Sequence, residues 1–472
     1  MKFEVEVVIR DDSGQEMQRI VILEKHCGSM NNAMGGLGLA LTEGKALVGT
    51  VQKHLLQTQV DGALFGHGCC PKCSEPMKRK DVQAIVYRTL YGKFTLPNER
   101  FFSCICCEGQ GKKSWSPLST CLKTHTHPEL LYLQARWAAL LPYGQSLRLL
   151  QDVLPLEGVI SLANIKIKVP QVGQRIEADR AQQVCAVALA VPDDEATQTT
   201  TFGEQQITTS LSVGVDAGYI RSNVAKGEGP RKFGVVAVKT VEENSRCHAY
   251  VQTEVDDASE RISDFIERGR DSPLTSVTFF TDAGGDIKAA TPLAGKASQR
   301  ILDWFHFAMY FQIALQTATP FKRWHYNATC TVFEEIERIK WTFWHGRCEA
   351  GCQRLRLLAT WIGSQANTQV KVKLTVRLFD LLHYAADNAD YLVNYARRHR
   401  DGLPIASAMA ESVVNQVISR RFVKKQQMRW SPQAAHKLLQ VRTAVLNGEL
   451  AEHFKLWHPG FATNDPVYAR AA

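Results

Sequence analysis

The chain has 472 residues, 45% of them hydrophobic and 22% charged, with a formal net charge of +9. That length calls for two to four domains, and the composition is that of a folded globular protein rather than a disordered or fibrous one. The moderate positive charge fits a nucleic-acid partner without requiring one, and no run of eighteen apolar residues offers a membrane span.

Residues 1–66 read as an α/β region. MKFEVEVVIRDD alternates like a strand, Asp11 to Gln15 is a polar turn, and Met17 to Leu23 can return as a second strand. Helical spacing follows over 43–60, with Ala46, Val51, Leu55 and Leu56 apolar. The start lacks the long apolar core of a signal peptide, so the expectation is a cytoplasmic protein, nucleoid-associated if its partner is DNA. Thirteen cysteines, unevenly placed, then read first as metal ligands where they pair closely.

Residues 67–120 carry the sharpest motif. Cys70 and Cys73 form one Cys-x2-Cys knuckle, and Cys104 and Cys107 form another, thirty residues on. Two strand-like runs lie between, Val82 to Leu90 and Lys93 to Phe102, joined at Tyr91-Gly92. Two such knuckles linked by a hairpin predict a zinc ribbon, with four soft thiolates around one structural Zn²⁺. Cys69 and Cys106 are neighbouring thiols and leave the choice of ligand within each cluster open.

Residues 121–190 read as helical: Pro128 to Leu141, Gln145 to Val153, and Val159 to Val169 after an LPLEG turn. The lengths fit a helix-turn-helix, with Lys166, Lys168 and Arg175 toward phosphates, and fit a plain helical linker equally well. The β-branched run IKIKV weakens the last helix. Residues 191–210 are polar, Thr-rich and aperiodic, as a linker would be.

Residues 211–307 predict the order β-β-β-α-β-α-β. Strands fall at Leu211 to Ile220, Phe233 to Thr240, Cys247 to Val255 and Ser276 to Asp282. A helix spans Asp256 to Arg268, a short helix or loop spans Gly284 to Leu293, and RILDWFHF is a fifth strand or a strand running into a helix. Short links make the first three strands antiparallel, and the helical crossover makes the fourth parallel to the first. That is a ribonuclease-H-like topology, and it sets Asp216 beside Asp282 at neighbouring strand ends. A carboxylate there is costly as core, the glycines after each Asp leave backbone room for a ligand, and paired acids suit Mg²⁺.

Residues 308–403 read as a helical insertion rich in tryptophan, and 404–472 as the last part of the core. Within the insertion Cys348 and Cys352 lie one turn apart, which suits a half-buried thiol pair. Two-metal phosphoryl chemistry asks for a third carboxylate. Glu411 is the best candidate: a lone acid between Ser407 and Asn415 on an otherwise small or apolar helix, Ala406 to Arg421. A basic run follows, Arg420, Arg421, Lys424, Lys425 and Arg429, placed to meet phosphates, with Trp430 available either to stack on a base or to pack as core. Asp303 reads first as a helix N-cap and His306 as a packed histidine.

The motifs VGVDAGYIR, FFTDAGGDI, ILDWFHF and AESVVNQVISRRFVKKQQMRWSP together resemble bacterial insertion-sequence transposases of the DDE class, most closely the Kra-type group. The likeness spans about Cys70 to Arg442. It implies Asp216, Asp282 and Glu411 as the catalytic and metal-binding triad, holding two Mg²⁺ ions for which Mn²⁺ can substitute. It also implies terminal inverted repeats and target DNA as partners and a homo-oligomer assembled on them. Two other readings stay open: a ribonuclease-H-like nuclease or resolvase that cuts without joining, and a non-catalytic zinc-ribbon DNA-binding protein.

Overall fold

The computed structural model describes residues 2–26, 38–64, 68–70, 72–104, 106, 114–190, 210–225, 227–241, 245–268, 276–282, 297–365, 368–406, 413–422 and 428–462. The chain divides into two units: Met1–Val172 with Leu450–Pro466, and Gly173–Glu449 with Val467–Ala472. The predicted domain limits at 66, 120 and 307 are not boundaries of this division.

In the first unit, β1 (Lys2–Arg10) and β2 (Glu16–His26) form an antiparallel hairpin. Its turn is held by Asp11, whose Oδ1 accepts the backbone N–H groups of Ser13 and Gln15, and Gly14 takes the left-handed conformation the reversal needs, at φ 86°. The helix Leu41–Leu64 precedes a second hairpin, β3 (Arg79–Thr89) and β4 (Gly92–Phe102), which β5 (Ser114–Trp115) extends. Val60, Ile85, Tyr87, Leu96 and Leu118 close a small core between them. The helices Pro128–Leu140 and Tyr143–Val153 follow, and Tyr132 on the first meets Phe454 of the returning helix Leu450–Trp457 edge-on at 5.3 Å.

The third predicted helix differs from expectation. It starts at Leu162, not Val159, and runs through Pro170 to Ala190. The β-branched run does not stop it, because Ile165 and Val169, one turn apart, are both fully buried. Burying such side chains contributes about 1.5–3 kcal/mol each, more than the few tenths that propensity takes away.

The second unit holds a five-stranded mixed sheet: β6 (Ser210–Arg221), β7 (Lys232–Thr240), β8 (Cys247–Val251), β9 (Ser276–Thr281) and β10 (Ala297–Leu302), in the spatial order β10-β9-β6-β7-β8. β6, β7 and β8 are successive antiparallel neighbours and β9 runs parallel to β6, as the lengths of the links predict; β10 runs parallel to β9. Side chains alternate across β6. Leu211, Val213 and Val215 enter a core with Val236, Tyr250, Phe279 and the helix Ala258–Glu267, through Ile262, Phe265 and Ile266. Gly214, Asp216 and Gly218 are therefore left to the other face. The crossover helix is shorter than predicted because Asp257 caps it, accepting from Ser259 and Glu260 at 2.8 and 2.9 Å. β8 stops at Val251, where the chain turns into a single 3-10 turn.

After β10 come the helices Trp304–Ala318, Val332–Trp344, Cys348–Ser364, Gln369–Asp387 and Tyr395–Arg400. They share a core that includes Phe307, Phe311, Ile339, Phe343, Leu358 and Leu378. The first begins before residue 308, directly off the sheet, and a small hairpin at His325–Asn327 and Cys330–Thr331 interrupts a stretch read as helical. Of the predicted helix Ala406 to Arg421, residues 407–412 lie outside the described residues and Val414–Ser419 is a π-helix. The helix Pro432–Leu446 then packs beside β8. His436 on that helix and Arg261 both bond the Glu177 carboxylate, offsetting the burial that would raise its pKa and holding it well below the usual carboxylate range.

Candidate active site and metal centre

Register places the acids. Val215 pairs with Thr281, and Thr281 with Leu302, so Asp216, Asp282 and Asp303 each stand one residue past the last parallel pair, although β6 runs on to Arg221 and Asp216 still pairs with Ala237 of β7. The Asp303 N–H extends that ladder, donating to the Thr281 carbonyl at 3.0 Å. Neighbouring strands lie about 4.8 Å apart, so three carboxyl groups form one row at the C-terminal edge. In open α/β sheets ligands bind at that edge.

Asp216 is 8% exposed, and its Oδ1 accepts from the Ala217 N–H at 2.7 Å. Burial pushes its pKa from 3.8 up to about 6, against the Ala217 bond and the nearby His306; Asp282 and Asp303 add to the rise. A divalent cation with oxygen ligands would offset the cost of ionising Asp216 in this buried place. Asp303 is 1% exposed and caps the helix Trp304–Ala318, accepting from Phe305 at 2.7 Å, as its position before that helix predicts. His306, read from sequence as packed, is half-buried and close enough to Asp216 to act on its charge.

Sequence reasoning passed over Arg300. It is 9% exposed; its Nε donates to the Thr281 hydroxyl at 2.9 Å, and its Nη2 reaches the Asp282 carbonyl oxygen at 3.4 Å. A charged residue directly before the apolar pair Ile301-Leu302 of the strand ASQRIL was the available signal.

Glu411, Lys424 and Lys425 lie outside the described residues. The segments that flank them are described. Val414 and Ile418 rest on Gly218, where an added Cβ would stand 3.2 Å from Val414 Cγ1 and 2.9 Å from Ile418 Cδ1. Trp430 N–H donates to the Arg221 carbonyl, and Asn223 N–H to the Trp430 carbonyl, both at 3.0 Å. The chain before and after residues 423–427 is thus fastened to β6, the strand of Asp216. Arg442 secures the same segment by donating to the Gln416 and Val417 carbonyls at the end of the π-helix.

The basic run divides. Arg420 and Arg429 are exposed. Arg421 is 1% exposed, its guanidinium 5.2 Å from the Trp430 ring, and Phe422 meets that ring edge-on at 5.0 Å. This corrects the assignment of Arg421 to a DNA-facing surface, since its side chain is buried; Trp430 is half-buried, with its ring against Phe422. Of the residues read as helix-turn-helix phosphate contacts, Lys166 is exposed and Lys168 half-buried.

The thiols of Cys70, Cys73, Cys104 and Cys106 all lie within 4.8 Å of one another. Cys73 and Cys104 stand 3.3 Å apart, and Cys70 and Cys106 3.5 Å apart. A tetrahedral Zn²⁺ with bonds of about 2.3 Å would set sulfurs roughly 3.8 Å apart, so the cluster could hold a metal such as zinc. Backbone N–H groups of Cys73 and Lys72 lower the Cys70 pKa to about 6, favouring the thiolate a metal needs. The fourth thiol of this cluster is Cys106; Cys107, the predicted ligand, lies outside the described residues. Among the described residues this is the one group of three or more Cys, His, Asp or Glu side chains drawn so close; the three aspartates stand further apart.

No helix among the described residues is long and apolar enough to cross a membrane. No protein-family model matches the chain, and no curated protein does.

Proposed function

We propose that this protein is a metal-dependent DNA transposase of the DDE class, of the Kra-type group of bacterial insertion sequences, built on a ribonuclease-H-like core. The observation that carries the reading is the register of Asp216 and Asp282, one residue past paired positions on adjacent parallel strands. The strand order supports it, since in the order β10-β9-β6-β7-β8 only β7 runs against the other four strands, as in a ribonuclease-H-like sheet. The site of Val414, three residues beyond Glu411 and against Gly218, supports Glu411 as the third acid.

Asp216, Asp282 and Glu411 would hold two Mg²⁺ ions, or Mn²⁺ in their place. Bound ions supply activation of the attacking water or 3′-hydroxyl and stabilisation of the leaving oxygen. The chain's own part is to present carboxylates from a rigid sheet edge, so that little reorganisation is needed when phosphate arrives. Arg420 and Arg429, with Lys424 and Lys425, would hold the DNA backbone, and the four-thiol cluster, as a zinc ribbon, would stiffen the first unit. A cytoplasmic, nucleoid-associated homo-oligomer on transposon ends follows from this reading.

The test is cleavage of DNA carrying the element's ends by Asp216→Asn, Asp282→Asn and Glu411→Gln, assayed separately with Mg²⁺. Each should abolish cleavage and leave DNA binding intact; a variant that still cuts removes its residue from the triad. Strand transfer from pre-cut ends separates a transposase from a nuclease, and DNA binding without any cutting by the parent protein would leave the non-catalytic reading.

A further inference from the structure

Arg300 is a residue that a strand would not carry without a reason. It pairs with Phe279 across the parallel ladder and is almost wholly buried. Burying a guanidinium is costly unless its donors and its face are occupied. Its Nε donates to the hydroxyl of Thr281, itself 0% exposed. Its Nη2 lies 3.4 Å from the main-chain oxygen of Asp282, and the planar group lies over the Tyr391 ring, 4.3 Å from the centroid. Thr281 closes β9, and Asp282 is the next residue.

From this arrangement we infer that Arg300 is the positioning residue of Asp282. The assignment rests on the metal-dependent reading above. The guanidinium holds the Thr281 hydroxyl and the Asp282 main-chain oxygen, one contact on each of the two residues at which the chain leaves the sheet. That limits the direction in which Asp282 can project. Tyr391 ends the stretch that follows the helix Gln369–Asp387, so the same guanidinium links the helical insertion to the acid. A lysine could replace the charge but not this geometry, because an ammonium has neither a flat face for the ring nor a fork for two acceptors.

The experiment is a Mn²⁺ titration of the full-length, zinc-loaded protein without DNA, reading free Mn²⁺ by electron paramagnetic resonance, with melting of the metal-free protein in parallel. Arg300→Lys should bind Mn²⁺ about 10–100-fold more weakly, the usual cost of losing a group that orients a ligand. Its metal-free melting, expected a little below the parent's because the lysine keeps the charge and loses the fork, shows whether the fold is kept. Tyr391→Leu, which keeps the arginine but removes its platform, should weaken binding in the same direction. It decides the matter if Arg300→Lys melts early. Asp282→Asn is the reference and should lose the site. Parental affinity in both Arg300→Lys and Tyr391→Leu, with loss in Asp282→Asn, overturns the inference. Parental affinity in Asp282→Asn overturns the metal-site reading beneath it.

Discussion

Replacing Asp216 by asparagine should make the protein more stable, and by an amount that depends on pH. Burial and two facing aspartates raise this carboxyl from 3.8 to about 6. Between those values the folded state binds more protons than the unfolded state, so stability falls as pH rises through the window. Above it the folded chain carries the whole penalty of an ionised buried acid, about 3 kcal/mol for a rise of that size. Asparagine escapes the penalty. The gain of Asp216→Asn over the parent should be near zero at pH 3.5, grow through pH 4 to 6, and level near 3 kcal/mol at pH 7 or above. Denaturant unfolding of both proteins across that range, in chelator, measures it. Saturating Mg²⁺ should then stabilise the parent and not the variant, because only the parent's folded state gains a ligand. A gain that is equal at pH 4 and pH 7.5 would refute the electrostatic argument, and a destabilised variant at neutral pH would show that Asp216 has partners worth more than its burial costs.

Other outcomes follow from the same geometry. Cys106→Ser should lower bound zinc well below one ion per chain, whereas Cys107→Ser should leave it at the parental level; metal analysis of the purified proteins decides between the two neighbours. Gly218→Val would press on Val414 and Ile418, costing about 1–3 kcal/mol by overpacking and depressing cleavage more than DNA binding. Arg420→Ala and Arg429→Ala should each reduce the salt dependence of DNA affinity by about one phosphate contact, a slope change of roughly 0.9. Arg421→Ala should lower the melting temperature and leave that slope unchanged, since its side chain is buried against Trp430. An Arg421→Ala protein that melts like the parent but loses salt dependence would restore it to the DNA surface.

Much of the sheet was legible from sequence because its determinants are local. Leu211, Val213 and Val215 recur at every second position of β6, β9 is rich in Val, Thr and Phe, short links force antiparallel neighbours, and a capped crossover helix forces a parallel one. The β3–β4 hairpin was legible for the same reason, with Gly92 taking a φ of 147° at its turn. Element ends were less legible. Asp257 shortens a helix that the hydrophobic spacing alone would extend, and tertiary burial of Ile165 and Val169 carries another through a β-branched run.

What the order of residues determined by itself was the supply of chemistry: two aspartates leaving strands, paired cysteines thirty residues apart, a charged stretch after a lone glutamate. Which of these groups meet was decided only by the folded chain. The described cluster takes its fourth thiol from Cys106, a position that the Cys-x2-Cys spacing does not single out. Arg421 and Arg420 are neighbours in the chain, yet one lies beneath Trp430 and the other faces solvent, because a main-chain pairing with Arg221 fixes which way the segment turns. Arg300 gains its place from a ring ninety-one positions further along. Spacing encodes which side chains share a face of one element; contacts between elements depend on packing, and packing is a property of the whole chain.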